Sequence, residues 1–174
     1  MVSERANLDK SIRTGSSDPK WLRQSSSTFA SDEGEVRYPA DVRWVCVRCA
    51  NSCGDLPGRR RNVLLASRDV RRIVDATKLT PKEFSVPARA PAPYTRKIKK
   101  RKGRCIFLQD SRCSIYGARP LICRFYPFCI HPSRTVALEI GVDLSCSGIG
   151  TGPRRGEKFF RSLVELAKTE LSAK

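Results

Sequence analysis

Cys105-Ile-Phe-Leu108, Cys113-Ser-Ile-Tyr116, Arg119-Pro120 and Cys123-Arg124-Phe-Tyr-Pro-Phe128 lie within one stretch that mixes sulfur, aromatic and basic residues. The chain has 8 cysteines, grouped as Cys46/Cys49/Cys53, Cys105/Cys113/Cys123/Cys129 and the isolated Cys146. Thiolates ligate zinc and iron–sulfur clusters, and close spacing lets one loop present two sulfurs to one site. This grouping predicts a small domain whose core is supplemented by metal. Within the stretch, residues 105–108 and 112–116 read as strands of a small hairpin about Gln109-Asp110-Ser111. That placement would bring Cys105 and Cys113 together across paired strands. The segment from Pro120 to Cys129 begins as a helical turn that stops before Pro127.

On the N-terminal side, Val42, Trp44 and Cys46 alternate with polar residues and run into the turn-prone Asn51-Ser52-Cys53-Gly54. Residues 62–66 read as a short strand. Ser67 then caps a helix to about Lys78, with Asp69 at its positive end and Val70, Ile73, Val74 and Thr77 on one face. Thr80-Pro81-Lys82-Glu83 combines an N-cap, a first-position proline and a capping glutamate, so a second, short helix begins there. Pro87, Pro91 and Pro93, followed by a basic block, predict a proline-rich and then basic loop over 87–104.

On the C-terminal side, Val136, Leu138, Ile140 and Val142 have the period of a half-buried strand, and Leu144–Gly152 reads as a glycine-rich loop holding Cys146. Residues 157–174 form an amphipathic helix with Phe160, Leu163, Val164, Ala167 and Leu171 as its stripe. Residues 1–36 are polar and read as a flexible tail, with Trp21-Leu22 its one apolar spot. The expected fold is α+β, small, loop-rich and metal-stabilised. Its cysteine-cluster domain spans 37–152, and a C-terminal helix over 153–174 packs on that domain or extends it.

With 34 basic and 17 acidic residues, the net charge is +17, and its densest run is Arg96-Lys97-Ile98-Lys99-Lys100-Arg101-Lys102-Gly103-Arg104. Such density attracts polyanions, nucleic acid above all, in a salt-dependent way. The block lacks the interleaved aromatics of a base-stacking platform, so binding there would be non-specific. The alternative is a solvated basic loop. Neither a secretory leader nor an apolar run of membrane-spanning length is present, which predicts a cytoplasmic protein. In a reducing compartment, metal ligands or redox thiols are expected in place of a disulfide framework. There is no P-loop, dinucleotide fingerprint or nucleophile elbow, and the single histidine, His131, leaves no hydrolase triad.

The segment from about Val45 to Gly150 resembles the YkgJ-type cysteine-cluster family of zinc- or iron-chelating domains, over roughly three-fifths of the chain. The family form C-x2-C-x2-C-C, C-x-F-L, C-x-I-Y-x-x-R-P and C-R-x-x-P-F is met by Cys46, Cys49, Cys53, Cys105–Leu108, Cys113–Tyr116, Arg119-Pro120, Cys123-Arg124 and Pro127-Phe128. Ser52 stands where the usual first motif has its third cysteine. The resemblance implies an iron–sulfur cluster or zinc as cofactor. Through relatives described as iron–sulfur oxidoreductases or flagellin lysine N-methylases, it also implies an electron-transfer or methylation-associated role and a redox or protein partner.

With one histidine available, a tetrahedral zinc site would be essentially all-cysteine, and eight thiols allow one site or two. The expected ligands are Cys46, Cys49, Cys53, Cys105, Cys113 and Cys123, followed by Cys146 and then Cys129. Basic neighbours favour thiolates, and Arg119 and Arg124 are expected to orient the ligands through hydrogen bonds. Tyr116 and Tyr126 are expected to pack against the ligand loops with surface hydroxyls, and His131 to face solvent. Cys46-Val-Arg-Cys49 has redox-dithiol spacing but lacks a thioredoxin-like order of elements around it. The alternative function is a zinc-stabilised basic module that binds nucleic acid through Lys97, Lys99, Lys100, Arg101 and Lys102.

Overall fold

The computed structural model describes residues 25–56, 58 and 60–171. Strands β1 (Ser26–Ser31), β2 (Gly34–Pro39) and β3 (Arg43–Trp44) precede the Cys46–Cys53 loop. After it come β4 (Leu64–Ala66), α1 (Ser67–Thr77), α2 (Pro81–Phe84), β5 (Ser85–Pro87) and β6 (Tyr94–Ile98). Four two-residue strands follow: β7 (Lys100–Arg101), β8 (Arg104–Cys105), β9 (Leu108–Gln109) and β10 (Arg112–Cys113). The chain continues through α3 (Leu121–Phe125), β11 (Phe128–Pro132), β12 (Leu138–Val142), β13 (Ile149–Arg154) and α4 (Glu157–Leu171). The class is mixed α+β, as the sequence predicts.

Two hydrophobic clusters organise these elements. The first lies between the four-stranded sheet β1-β2-β12-β11 and α4. It is rich in rings, and Phe160 sits 5.0 Å from Tyr38 and 5.3 Å, edge-on, from Phe128. The second gathers Val63, Leu65, Ile73, Phe84, Ile98, Phe107 and Ile115 around the antiparallel sheet β4-β6-β5 and α1. Helix α3 joins the two. Leu121 and Phe125 enter the first cluster, whereas Ile122 and Cys123 pack against the second.

Asp69 fastens this junction. Its carboxylate accepts the Ala66 amide at 3.1 Å, which caps α1, and the Leu121 amide at 2.9 Å, which positions α3. Arg72 pairs with Asp69 and reaches Glu170 of α4, which also receives Arg124 at 2.9 Å. The expected Ser67 cap is therefore replaced. Ser67 is the first helical residue, because an aspartate at the third helical position can reach back to the cap amide. The expected Thr80–Glu83 capping pair is present and opens the single-turn α2.

Three other boundaries also move. The polar tail expected over 1–36 gives way to structure at Ser26: β1 and β2 pair Phe29 with Val36, both buried, across a turn that closes on Gly34 at φ 114°. Two apolar residues in facing register suffice there despite the polar composition. The rest of that segment, including Trp21-Leu22, lies outside the described residues. The loop expected over 87–104 instead holds β6, β7 and β8, with Ile98 buried in the second cluster. The glycine-rich loop expected to run to Gly152 becomes β13 from Ile149 and pairs with β3.

Candidate metal centre

Three short segments bring seven of the eight cysteines to one cleft of about 240 Å³: Cys46, Cys49, Cys53, Cys105, Cys113, Cys123 and Cys146. The loop from Cys46 to Cys53 folds tightly because Arg48 (φ 52°) and Ala50 (φ 60°) take left-handed backbone. Non-glycine residues are uncommon in that region, and such strain concentrates at functional sites. A one-turn 3₁₀ helix, Asn51–Cys53, ends the loop. From the opposite wall, β8 presents Cys105, β10 presents Cys113 and α3 presents Cys123.

The hairpin expectation is corrected here. Cys113 pairs with Leu108, and Cys105 pairs with Lys100. The two sulfurs reach the same cleft from neighbouring hairpins, because residues 104–113 turn twice within ten positions. The sulfur of Cys113 still lies close enough to raise the pKa values of Cys53, Cys105 and Cys123.

Burial is the largest influence on Cys53, Cys105 and Cys123. It pushes Cys105 up to about 11 and raises Cys53 and Cys123, with the neighbouring sulfurs adding to the rise and Arg119 opposing it at Cys53 and Cys123. Crowded, desolvated thiols resist ionisation unless a cation compensates their charge. A metal ion or cluster is such a cation, so this donor set suits one. Cys46 and Cys49 are exposed, whereas Cys146 is buried.

Arginines brace the cysteine-bearing loops. Arg119 stacks 3.6 Å from the Tyr116 ring centre with Arg48 at 4.6 Å, and its Nε donates to the Tyr116 carbonyl at 2.8 Å. The Tyr116 hydroxyl lies 3.7 Å from Cys46 Sγ. Arg61, not singled out in the sequence, ties the Cys46–Cys53 loop to the Cys146 loop by donating to the Asn51 carbonyl, Asp143 and Ser145. Its only signal was its place in the run Arg59-Arg60-Arg61, which does not distinguish a half-buried tie from a solvated cation. Asn51 Nδ2 also donates to Ser147 Oγ at 3.1 Å. Gly148 admits the close approach of the Val45 backbone to this loop, since a Cβ there would stand 2.2 Å from the Val45 carbonyl oxygen.

Two expected site residues lie elsewhere or act differently. Cys129 is on β11, away from the cleft, with its sulfur 3.0 Å from Nε2 of His131, which is exposed as expected. Period-two geometry puts residues 129 and 131 on one side of the strand, so sequence proximity to Cys123 did not place Cys129 with the cluster. Arg124 borders the cleft, but its guanidinium binds Glu170; the cations that act on the sulfurs are Arg119, at Cys53 and Cys123, and Lys100, at Cys105. The Tyr126 hydroxyl is enclosed rather than at the surface, and burial raises its pKa. Among the described residues, no three Cys, His, Asp or Glu side chains stand in ready-made metal-holding geometry.

The family model described as "CxxCxxCC: Putative zinc- or iron-chelating domain" matches residues 45–146, more than half of the chain. The chain belongs to this family. The matched span of the CxxCxxCC domain runs from the residue before Cys46 to Cys146, so it includes all seven cleft cysteines. The domain is also similar to the uncharacterized protein MJ0661 of Methanocaldococcus jannaschii, at 27% identity over 135 residues that cover 74% of this chain and 70% of the relative. No solved structure matches it. The CxxCxxCC assignment makes zinc or iron the cofactor class, in agreement with the donor set. Among the described residues, no helix is long and apolar enough to cross a membrane.

Proposed function

We propose that the thiol cleft holds an iron–sulfur cluster and that the protein exchanges electrons through it. The observation that carries this reading is the spread of seven thiols around about 240 Å³ of space, with two of them exposed at the surface. That volume is several times the roughly 30 Å³ share of one water molecule, and a single tetrahedral ion uses only four sulfurs. Cys53, Cys105, Cys113 and Cys123 are the primary ligand set, and Cys46, Cys49 and Cys146 are available at the other side of the cleft. A cluster held there would supply a one-electron carrier.

The protein's own residues set the conditions for that role. Val63, Ile98 and Ile115 give the cleft an apolar floor that excludes water, and Arg119 offsets the negative charge of the thiolates. Exposed Cys46 and Cys49 mark the side from which a redox partner would approach.

The test is iron, acid-labile sulfide and visible absorption of protein purified without oxygen. Iron and sulfide in comparable amounts, with a visible band that bleaches on reduction, is the expected result. Stoichiometric zinc in a colourless protein would overturn the cluster and make the cysteines scaffolding.

A further inference from the structure

The basic block divides into cations that the fold uses and cations that it leaves projecting. Arg96 donates to Ser85, Lys99 to the Lys82 carbonyl, and Lys100 pairs with Asp55. Beyond them, β7 and β8 form a hairpin in which Arg101 stands opposite Arg104. Its two-residue turn is Lys102 (φ 48°) and Gly103 (φ 74°), the doubly left-handed backbone of a tight hairpin turn. Arg101, Lys102 and Arg104 are all exposed, and among the described residues none makes an ion pair. Like charges directly opposite each other destabilise a ladder, so this tip is poised for an anion that neutralises it.

The shape of the tip favours nucleic acid over a small anion. A two-stranded ribbon fits the major groove of a duplex, and three cations along its end match a run of phosphates. The tip has no ring for base stacking, so it would grip backbone without reading sequence.

The same hairpin is built into the wall of the cleft. Cys105 ends β8, while Cys53 precedes Gly54, which bridges to Arg104. The Asp55 amide donates to the Gly103 carbonyl at 2.9 Å, and the Asp55 carboxylate holds Lys100. Whatever fixes Cys53 against Cys105 therefore also fixes Gly54 and Asp55 against the hairpin.

We propose that the β7–β8 hairpin binds the phosphate backbone of nucleic acid, and that loading of the thiol cleft orders the hairpin for binding; the second clause rests on the metal-centre reading. The test measures anisotropy of a short labelled DNA duplex and of a labelled single-stranded RNA across a salt series. It uses wild type as purified, wild type stripped with a chelator, and the Arg101→Gln/Lys102→Gln/Arg104→Gln variant. These side chains are exposed, so the variant should keep its metal content and far-ultraviolet dichroism.

The expected result is at least a tenfold loss of affinity in the variant at low salt. The slope of log affinity against log salt on the duplex should fall by about 2.7, which is three contacts at roughly 0.9 each. Stripped wild type should bind several-fold more weakly than loaded wild type. Unchanged affinity and slope in the variant would overturn hairpin binding, as would competition by polyglutamate as effective as competition by nucleic acid. Equal binding by loaded and stripped protein would overturn the metal link. If no metal is found under any preparation, the metal-centre reading fails by itself, and the variant's slope still decides the hairpin.

Discussion

The two hydrophobic clusters of this molecule are completed by different chemistry. Around α4, five- and six-residue strands and rings such as Phe29, Tyr38, Phe128 and Phe160 close a core from apolar residues alone. Around the cleft, four of the strands have only two residues, and Cys105, Cys113 and Cys123 pack at the edge of the cluster where more aliphatic residues would otherwise stand. Short elements contribute few ladder bonds and little buried area, so the second region is expected to draw its stability from a metal that ties its sulfurs together.

The largest effect should come from removing that tie. Structural zinc contributes on the order of 10 kcal/mol to the folding of small metal domains. Chelation should therefore speed amide exchange across 46–55 and 100–123 much more than in β11, β12 and α4. Cys113→Ser and Cys123→Ser should each lower bound metal and soluble yield together, while Cys129→Ser should leave metal content unchanged. Normal metal content in both cleft variants would remove the contrast between the two regions.

The complementary perturbation is Phe160→Ala. It takes a fully buried ring from the aromatic cluster and should cost about 3–5 kcal/mol in denaturant unfolding. Metal stoichiometry per folded molecule should not change. If it falls, the two clusters are one cooperative unit, with α3 as the coupling element.

The difference between the regions also explains what the sequence made legible. Helix α4, strand β12 and the α1 face follow from apolar periodicity, because a regular element repeats its signal over many residues. The gathering of the six first-ranked cysteines and Cys146 at one cleft was legible in the cysteine spacing and the family motif. The β1–β2 hairpin was hidden because its core-facing residues, Phe29, Val36 and Tyr38, are scattered amid serines and acids. The strands of the basic block were hidden because Lys97 and Arg96 occupy a central strand, their stems covered and their charges carried outward or bonded to Ser85. Cys129 shows the limit of spacing: six residues from Cys123 on α3, it is carried into the four-stranded sheet by a turn at Pro127.

Asp69 tests the junction between the regions. Asp69→Ala removes the acceptor for two amide donors, at Ala66 and Leu121, and should destabilise by about 1–3 kcal/mol. It should also loosen Cys123, two residues beyond Leu121, so metal affinity should fall more than in Phe160→Ala. Isothermal titration of the refolded apoprotein would compare the two variants. Equal affinities would mean that α3 is positioned by its packing alone.

Glu170 gives the smallest effect and the most specific pH signature. Burial opposes its ionisation, but hydrogen bonds and charge from Arg72 and Arg124 outweigh that and hold its pKa below the usual value. A carboxylate with a depressed folded pKa adds stability above its unfolded value, near 4.3, and loses it as pH falls through the folded value. Asp69 has the opposite sign. Burial raises its pKa, and the nearby Glu170 adds to the rise, so ionising Asp69 lowers stability as pH rises through its folded value. Glu170→Gln should therefore cost about 1 kcal/mol near neutrality, and the difference should shrink as pH falls below about 4.3. The variant should also titrate Asp69 at lower pH, because its acidic neighbour is gone. A wild-type-minus-variant difference that is flat with pH would show that Glu170 joins α4 to the junction by packing rather than by charge.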